Sequence, residues 1–138
     1  MIPYDENQLL TEYLAALGLR KGDWEKDDWQ PNRDQLLLIL VFMGRDIHRE
    51  YTDLTTIANA AGMVWTTLDL EEQRTNLYDT ELATIYYLAD LDWYVENNPT
   101  DSHLHTIKND AKHVYHKYTD HYQTQLNLLD RIRWQPRH

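Results

Sequence analysis

Eight consecutive apolar residues, Leu36 to Met43, constrain the fold more than any other feature of this sequence. The run is apolar on every side of a helix, so a helix that contains it must be surrounded by other elements. It is also much shorter than the roughly 18 residues that a membrane-spanning helix needs. We therefore expect a helix that begins with Pro31 as its first residue, runs to about Tyr51 and lies at the centre of a helical bundle.

Apolar periodicity and capping residues predict the other elements. In chain order these are a helix from Asp5 to Leu17 stopped by Gly18, a polar loop over 19–30, the central helix, a short helix from Asp53 to Ala61 closed by Gly62, a helix over 69–97 and a helix over 102–132. The last two, each on the order of 40 Å long, should form an antiparallel pair. With only four glycines and four prolines, an all-β fold is excluded. The sequence predicts one all-α domain over residues 1–138, a bundle of about five helices with a long C-terminal helical hairpin.

Several classes of function lack the residues that they need. The chain has no cysteine, and Ser102 is its only serine, so disulfides, thiolate catalysis and the usual serine-nucleophile motif are excluded. No glycine-rich phosphate loop occurs. The first residues lack the basic start and apolar core of a secretory signal. We expect a cytoplasmic protein that is not an enzyme, binds no cofactor and does not associate with a membrane.

Charge is distributed unevenly along the chain. The formal net charge is −10, and residues 69–99 carry eight acidic side chains against the single basic residue Arg74. Residues 100–138 carry four acidic and six basic residues. A field of this sign repels phosphate backbones and attracts cationic surfaces. The pattern therefore favours a protein partner with a basic surface and disfavours nucleic acid, although an acidic face can also serve solubility alone.

Aromatic residues suggest where such a partner binds. The chain has ten tyrosines and five tryptophans but one phenylalanine, and tyrosine and tryptophan suit half-wet surfaces and binding hot spots. Packing under a long loop is the alternative for Trp24 and Trp29. The residues expected at a partner interface are Trp24, Trp29, Asp79, Tyr86, Tyr87, Asp90 and Tyr94.

Helical geometry separates the acidic residues of the 69–97 helix into two flanks. Glu81 and Asp92 border the apolar seam, where they could pair with Lys108 or Lys112 of the opposite helix. Asp79 and Asp90 are expected to face solvent. They are therefore the better candidates for contact with a partner.

Residues 54–68 resemble the helix-turn-helix of TetR-type bacterial repressors. The matching positions are Ile57-Ala58, Ala60-Ala61-Gly62-Met63 and Thr67-Leu68, with Gly62 in the place of the turn. The resemblance implies a transcription regulator whose residues Val64, Trp65 and Thr66 contact DNA. Lysine and arginine are absent from those positions, whereas DNA-binding proteins normally neutralise phosphates with basic side chains.

Two arrangements could suggest a metal site. His113, His116 and Asp120 share one helical face, but that face lies opposite the apolar stripe through Val114 and should point to solvent. Paired Glu-x-x-Glu units of the kind that bind magnesium in helical pyrophosphatases do not occur. No metal site is predicted.

The sequence as a whole favours a small acidic regulator or inhibitor that binds another protein. One version occupies a basic nucleic-acid-binding surface of its partner, as nucleic-acid mimics encoded by phages or mobile elements against host defence do. The alternative is a helix-turn-helix transcription regulator. Whether the partner is a second copy of the same chain, forming a homodimer, stays open.

Overall fold

The computed structural model describes residues 4–26, 28–97 and 102–134, without the side chains of Lys21 and of residues 92–97. Its helices are α1 (Glu6–Ala16), α2 (Lys21–Trp24), α3 (Arg33–His48), α4 (Leu54–Thr67), α5 (Leu70–Leu77), α6 (Ala83–Asn97), α7 (Ser102–Tyr118) and α8 (Gln123–Trp134). No strand occurs among these residues, which confirms the all-α class. Within the described ranges, none of the helices combines the length and apolar character needed to cross a membrane.

Helix α3 is the central element, as its apolar run predicts. Every residue from Leu36 to Met43 is buried. The helix begins two residues later than expected because Asn32, not Pro31, determines its start. The Asn32 side chain accepts a hydrogen bond from the backbone N–H of Gln35 at 2.8 Å, and the Gln35 side chain accepts one from the backbone of Asn32 at 2.9 Å. This reciprocal capping box satisfies two backbone donors that the helix itself cannot.

Helix α1 has the boundaries that its capping residues predict, to within one residue. Asp5 accepts a hydrogen bond from the backbone N–H of Gln8 at 3.0 Å. At the other end Gly18 adopts φ +86°, and the N–H groups of Gly18 and Leu19 bond to carbonyls of the last turn. This left-handed closing residue is the Schellman motif, which favours glycine because a Cβ would be strained there. The segment expected as a loop over 19–30 includes the short helix α2.

The five-helix count and the long C-terminal hairpin are wrong in detail. Each predicted arm is divided, the first at residues 78–82 and the second at 119–122. The pieces also have different main neighbours. Helix α6 packs chiefly on α4, α7 on α3 and α8 on α1, while the contact between α6 and α7 is smaller.

The first break occurs because Asp79 acts as a cap. Its Oδ1 accepts hydrogen bonds from the backbone N–H groups of Glu81 at 3.0 Å and Leu82 at 3.1 Å, and these orient the turn that leads into α6. The apolar spacing of Tyr78, Leu82 and Ile85 by itself predicts an uninterrupted helix. Leu82 and Ile85 are buried, but Tyr78 is 83% exposed and does not belong to the stripe.

The second break coincides with a change in the apolar spacing. Along α7 the core positions alternate between steps of three and four residues, and beyond Val114 they run as Tyr118, Tyr122 and Leu126 in steps of four. Residues Ile107, Ala111, Val114, Leu126 and Leu129 are buried, as predicted. The change in spacing turns the buried side from α3 towards α1.

Helix α4 does not end at Gly62. It continues to Thr67, and the turn lies instead at Leu68 and Asp69, where Asp69 accepts a hydrogen bond from the N–H of Glu72 at 2.8 Å. Gly62 therefore has helical neighbours on both sides. The predicted short helix from Asp53 to Ala61 is therefore too short. The small residues Ala58 and Ala61 are buried within one continuous helix, α4.

Candidate protein-interaction site

Three of the expected interface residues lie together on the exposed side of α6. Tyr86 and Tyr87 are 37% and 44% exposed, and Asp90 is exposed one helical turn further on. Residues three and four positions apart on a helix are neighbours on its surface, so Asp90 lies next to both tyrosines. The opposite side of α6, with Ile85, is buried, so the tyrosine rings stand on a rigid support.

Trp65 of α4 joins this group because α4 packs on α6. Its ring centroid lies 5.2 Å from that of Tyr86 with an interplanar angle of 56°, and the Tyr86 and Tyr87 centroids are 5.5 Å apart at 67°. The Gln73 side chain of α5 donates to the backbone carbonyl of Trp65 at 3.1 Å. We refer to Trp65, Tyr86, Tyr87 and Asp90 as the aromatic face.

Charge near the aromatic face is mostly negative. Glu71 and Glu72 are exposed in the first turn of α5, where the positive end of the helix dipole stabilises carboxylates. Over residues 69–91 the basic residue is Arg74 alone. A cationic surface that approached this side would meet several exposed carboxylates.

Asp79 is only partly exposed, whereas the sequence predicts that it faces solvent. Besides capping the turn before α6, it forms a salt bridge with Arg33 at the start of α3, and its side chain is only 22% exposed. Partial burial raises the pKa of Asp79, but the hydrogen bond from Leu82 and the Arg33 guanidinium outweigh it, so that the pKa lies below its ordinary value. This carboxylate therefore has a structural role within the chain.

Glu81 pairs across the helices, but with a different lysine from those expected. It forms a salt bridge with Lys117 and accepts a hydrogen bond from the Tyr118 hydroxyl at 2.7 Å, rather than meeting Lys108 or Lys112. Partial burial raises the pKa of Glu81, but the hydrogen bonds from Lys117 and Tyr118 prevail and the pKa is lowered. The pairing lies further along α7 because the turn at 78–82 places Glu81 before the first turn of α6.

Of the other expected interface residues, Asp79, Trp24 and Trp29 are not on the aromatic face. Trp24 and Trp29 are partly buried and pack against the hydrophobic core, which is the alternative that the sequence left open for them. The side chains of Tyr94 and Asp92 lie outside the described part of the structure. Two tyrosines and one aspartate of the predicted set thus come together on the aromatic face.

The three residues implied in DNA contact have different surroundings. Val64 is buried on the inner side of α4 and cannot face a groove, which corrects the expectation for that position. Trp65 belongs to the aromatic face. Thr66 is exposed, and its hydroxyl donates to the carbonyl of Met63 at 3.1 Å.

The histidine-rich side of α7 faces solvent as predicted. His113, His116 and Asp120 are all exposed. Within the described residues no group of three or more histidine, cysteine or acidic side chains is placed to hold a metal ion.

A buried ionic network is the main feature that the sequence analysis missed. Arg133 of α8 forms two hydrogen bonds with Asp46 of α3, at 2.8 and 2.7 Å, and its Nε donates to Glu12 of α1 at 3.0 Å. All three side chains are at most 7% exposed. The guanidinium carbon also lies 3.8 Å from the centroid of the Tyr51 ring, which covers it. One arginine therefore ties three helices together.

Hydroxyl groups complete this network. Tyr13 donates to Asp46 at 2.5 Å and Tyr4 donates to Glu12 at 2.7 Å. Burial, and then the neighbouring carboxylates, raise the pKa of both phenols well above the ordinary value. Burial lowers the pKa of Arg133, but its hydrogen bonds with Asp46 outweigh this, so the pKa is raised overall. Both phenols therefore stay protonated and act as hydrogen-bond donors.

Next to the network is a cleft of about 240 Å³, bordered by Arg45, Arg49, Tyr51, Asp130 and Trp134. Arg45 is buried and is held by Asp130 at 2.9 Å. The buried guanidinium groups here are thus neutralised by the chain's own carboxylates. A signal for the network does exist in the sequence, because Arg45 and Asp46 follow the apolar run within the same central helix, where an unpaired charge would be costly.

Comparison of the chain with protein-family models, with curated proteins and with solved structures finds no match to any of them.

Proposed function

We propose that this protein is a small acidic regulator that binds a protein partner with a basic surface through its aromatic face. The observation that carries the proposal is the cluster that the exposed Tyr86 and Tyr87 form with the partly buried Trp65, beside the exposed Asp90. Tyrosine and tryptophan held rigidly at a surface lose little side-chain entropy on binding, and they dominate interface hot spots. The buried opposite side of α6 provides that rigidity.

The negative charge of the protein favours a partner with a cationic surface. The net charge of −10 and the exposed carboxylates of α5 and α6 would speed the approach of a cationic surface and slow that of another acidic one. A second copy of this chain would bring like charges together at this face. The most specific version of the proposal is an inhibitor that covers a nucleic-acid-binding surface with carboxylates in place of phosphates, of the kind that phages or mobile elements direct against host defence.

Site-specific crosslinking tests the proposal. A photoreactive phenylalanine at Tyr87 should crosslink to one basic protein in cells of the source, and the combined change Tyr86→Ala and Tyr87→Ala should weaken the isolated complex. The matched control is His113→Ala with His116→Ala, an exposed pair on α7 outside the aromatic face. Association should slow with added salt and slow further in Asp90→Lys.

Two results would contradict the proposal. One is a partner that binds the tyrosine variant as tightly as the wild type. The other is a salt-sensitive shift of duplex DNA at micromolar protein, near the ~10⁻⁶ M end of ordinary non-specific DNA affinity, that is lost in Trp65→Ala or Thr66→Ala. That second result would favour the DNA-binding alternative.

A further inference from the structure

The rings of the aromatic face are inclined to one another rather than stacked. Tyr86 makes an angle of 56° with Trp65 and of 67° with Tyr87, with centroid separations of 5.2 and 5.5 Å. Because adjacent centroids are only 5.2 and 5.5 Å apart, a cation beside Tyr86 can lie within the ~6 Å limit for cation–π attraction of two rings at once. The Trp65–Tyr86 pair is tilted and the Tyr86–Tyr87 pair is an edge-to-face contact, so the cluster presents more than one ring to a cation at this surface.

A carboxylate stands beside these rings. Asp90 is exposed four residues after Tyr86 and three after Tyr87, on the same surface of α6. Aromatic rings with a nearby carboxylate provide both the ring quadrupole and the counter-charge that a cation needs when it leaves water.

The chain supplies a cation to three of its other tyrosines, Tyr13, Tyr51 and Tyr118. Arg133 covers Tyr51, and the Lys117 ammonium lies 5.1 Å from the centroid of Tyr118. Among the residues that the structure describes, no lysine or arginine lies over Trp65, Tyr86 or Tyr87. The aromatic face therefore has the chemistry of a cation site and lacks a cation from this chain.

The shape of the cluster distinguishes between the two cationic side chains. A guanidinium is planar and stacks flat on one ring, whereas an ammonium is compact and can touch two inclined rings at once. We infer that the aromatic face binds a lysine ammonium group of the partner between the Tyr86 ring and its neighbours, with Asp90 as counter-charge. This inference rests on the proposed function and specifies the partner's recognised residue.

Small probes test the inference without the partner. We would titrate the protein with N-acetyl-lysine methylamide, its trimethyl-ammonium form, the arginine analogue and the neutral norleucine analogue, and follow ring-current shifts by NMR. Both ammonium probes should show upfield shifts of the protons nearest the charge, larger than those of the arginine and norleucine probes. Tyr86→Leu should weaken ammonium binding about two- to fivefold, the range for an exposed cation–π contact. Tyr86→Phe keeps the ring and should retain binding, while Asp90→Asn should weaken it.

Tyr78→Leu is the matched control, because Tyr78 is an exposed tyrosine at the end of α5 and has no part in the cluster. Equal shifts for norleucine and lysine probes, or equal losses in the Tyr78 and Tyr86 variants, would overturn the inference. If the partner complex depends on Tyr86 and Tyr87 while no ammonium probe binds, the inference fails and the proposed function stands. If the ammonium probes bind while loss of both tyrosines leaves partner binding unchanged, the aromatic face binds cations but is not the partner interface. The proposed function then fails, and with it the assignment of the cation to a lysine of the partner.

Discussion

At position 50 the chain places a glutamate where the backbone favours glycine. Glu50 has φ +52°, and the N–H groups of Glu50 and Tyr51 bond to the carbonyls of Ile47 and Asp46 at the end of α3. This is the same Schellman closure that Gly18 forms after α1, but with a Cβ in the left-handed region. The conformation directs the chain so that Tyr51 can cover Arg133.

Glu50→Gly should therefore stabilise the protein by about 0.5–1 kcal/mol, since relief of left-handed strain outweighs the greater flexibility of glycine in the unfolded chain. Chemical unfolding at neutral pH measures the difference. Glu50→Ala is the control, because it removes the carboxylate but keeps the Cβ, and it should give no such gain. If both variants gain the same stability, the cause is the loss of the Glu50 charge and not the relief of backbone strain.

At the scale of single elements, two glycines lie inside helices for different reasons. A Cβ on Gly44 of α3 would lie 2.1 Å from the backbone oxygen of Ala111 in α7, so the two helices cross too closely for any side chain. A Cβ on Gly62 of α4 would meet only the Ala89 Cβ, at an ordinary 4.0 Å. The first glycine is needed for packing and the second is not.

Gly44→Ala should destabilise the protein by about 1–3 kcal/mol through overpacking. Gly62→Ala should stabilise it by about 0.5–1 kcal/mol, because alanine is the better helix former. Thermal unfolding of the two variants, measured side by side with the wild type, shows whether each change lowers or raises the stability. Destabilisation by Gly62→Ala would indicate a turn at that position, as the helix-turn-helix resemblance implies.

The salt bridge of Glu81 predicts a dependence of stability on pH. The pKa of Glu81 is lowered in the folded protein, so the ionised form contributes stability above the ordinary glutamate pKa and loses it as the pH falls through the lowered value. Glu81→Gln should therefore be less stable than the wild type at pH 7, and the gap should narrow towards pH 3. Asp110→Asn, which changes an exposed carboxylate on α7, should show little gap at either pH. A gap for Glu81→Gln that is independent of pH would contradict this assignment.

The same helices show which features of the structure could be predicted from the sequence. The apolar run of α3, the Asp5 cap and the Gly18 stop each depend on residues close in sequence, and all three are confirmed. The division of the 69–97 helix was not predictable from periodicity, because the apolar residues Tyr78, Leu82 and Ile85 keep the helical spacing across the break. Asp79 caps that turn while also bonding to Arg33, which is 46 residues away in sequence. Three of the four residues of the aromatic face were predicted, since Tyr86, Tyr87 and Asp90 lie close together on α6, but Trp65 comes from another helix.

At the scale of the whole molecule, Arg133 joins the end of the described chain to its beginning. Replacing it with methionine would leave Glu12 and Asp46 buried without their counter-charge. Arg133→Met should cost about 3–5 kcal/mol, the range measured when one partner of a buried ion pair is removed. Arg131→Met, two residues earlier on the exposed side of α8, should cost little. Comparable losses in the two variants, measured by urea unfolding, would show that the network contributes less than its geometry implies.

The position of that arginine also bears on the order in which the protein is made. Synthesis proceeds from the amino terminus at about 5–20 residues per second, so Glu12 and Asp46 leave the ribosome long before Arg133 exists. Until then these two carboxylates lack their arginine partner, and burying an unpaired charge is costly. We therefore expect the core around Glu12 and Asp46 to close only after this part of α8 has been translated.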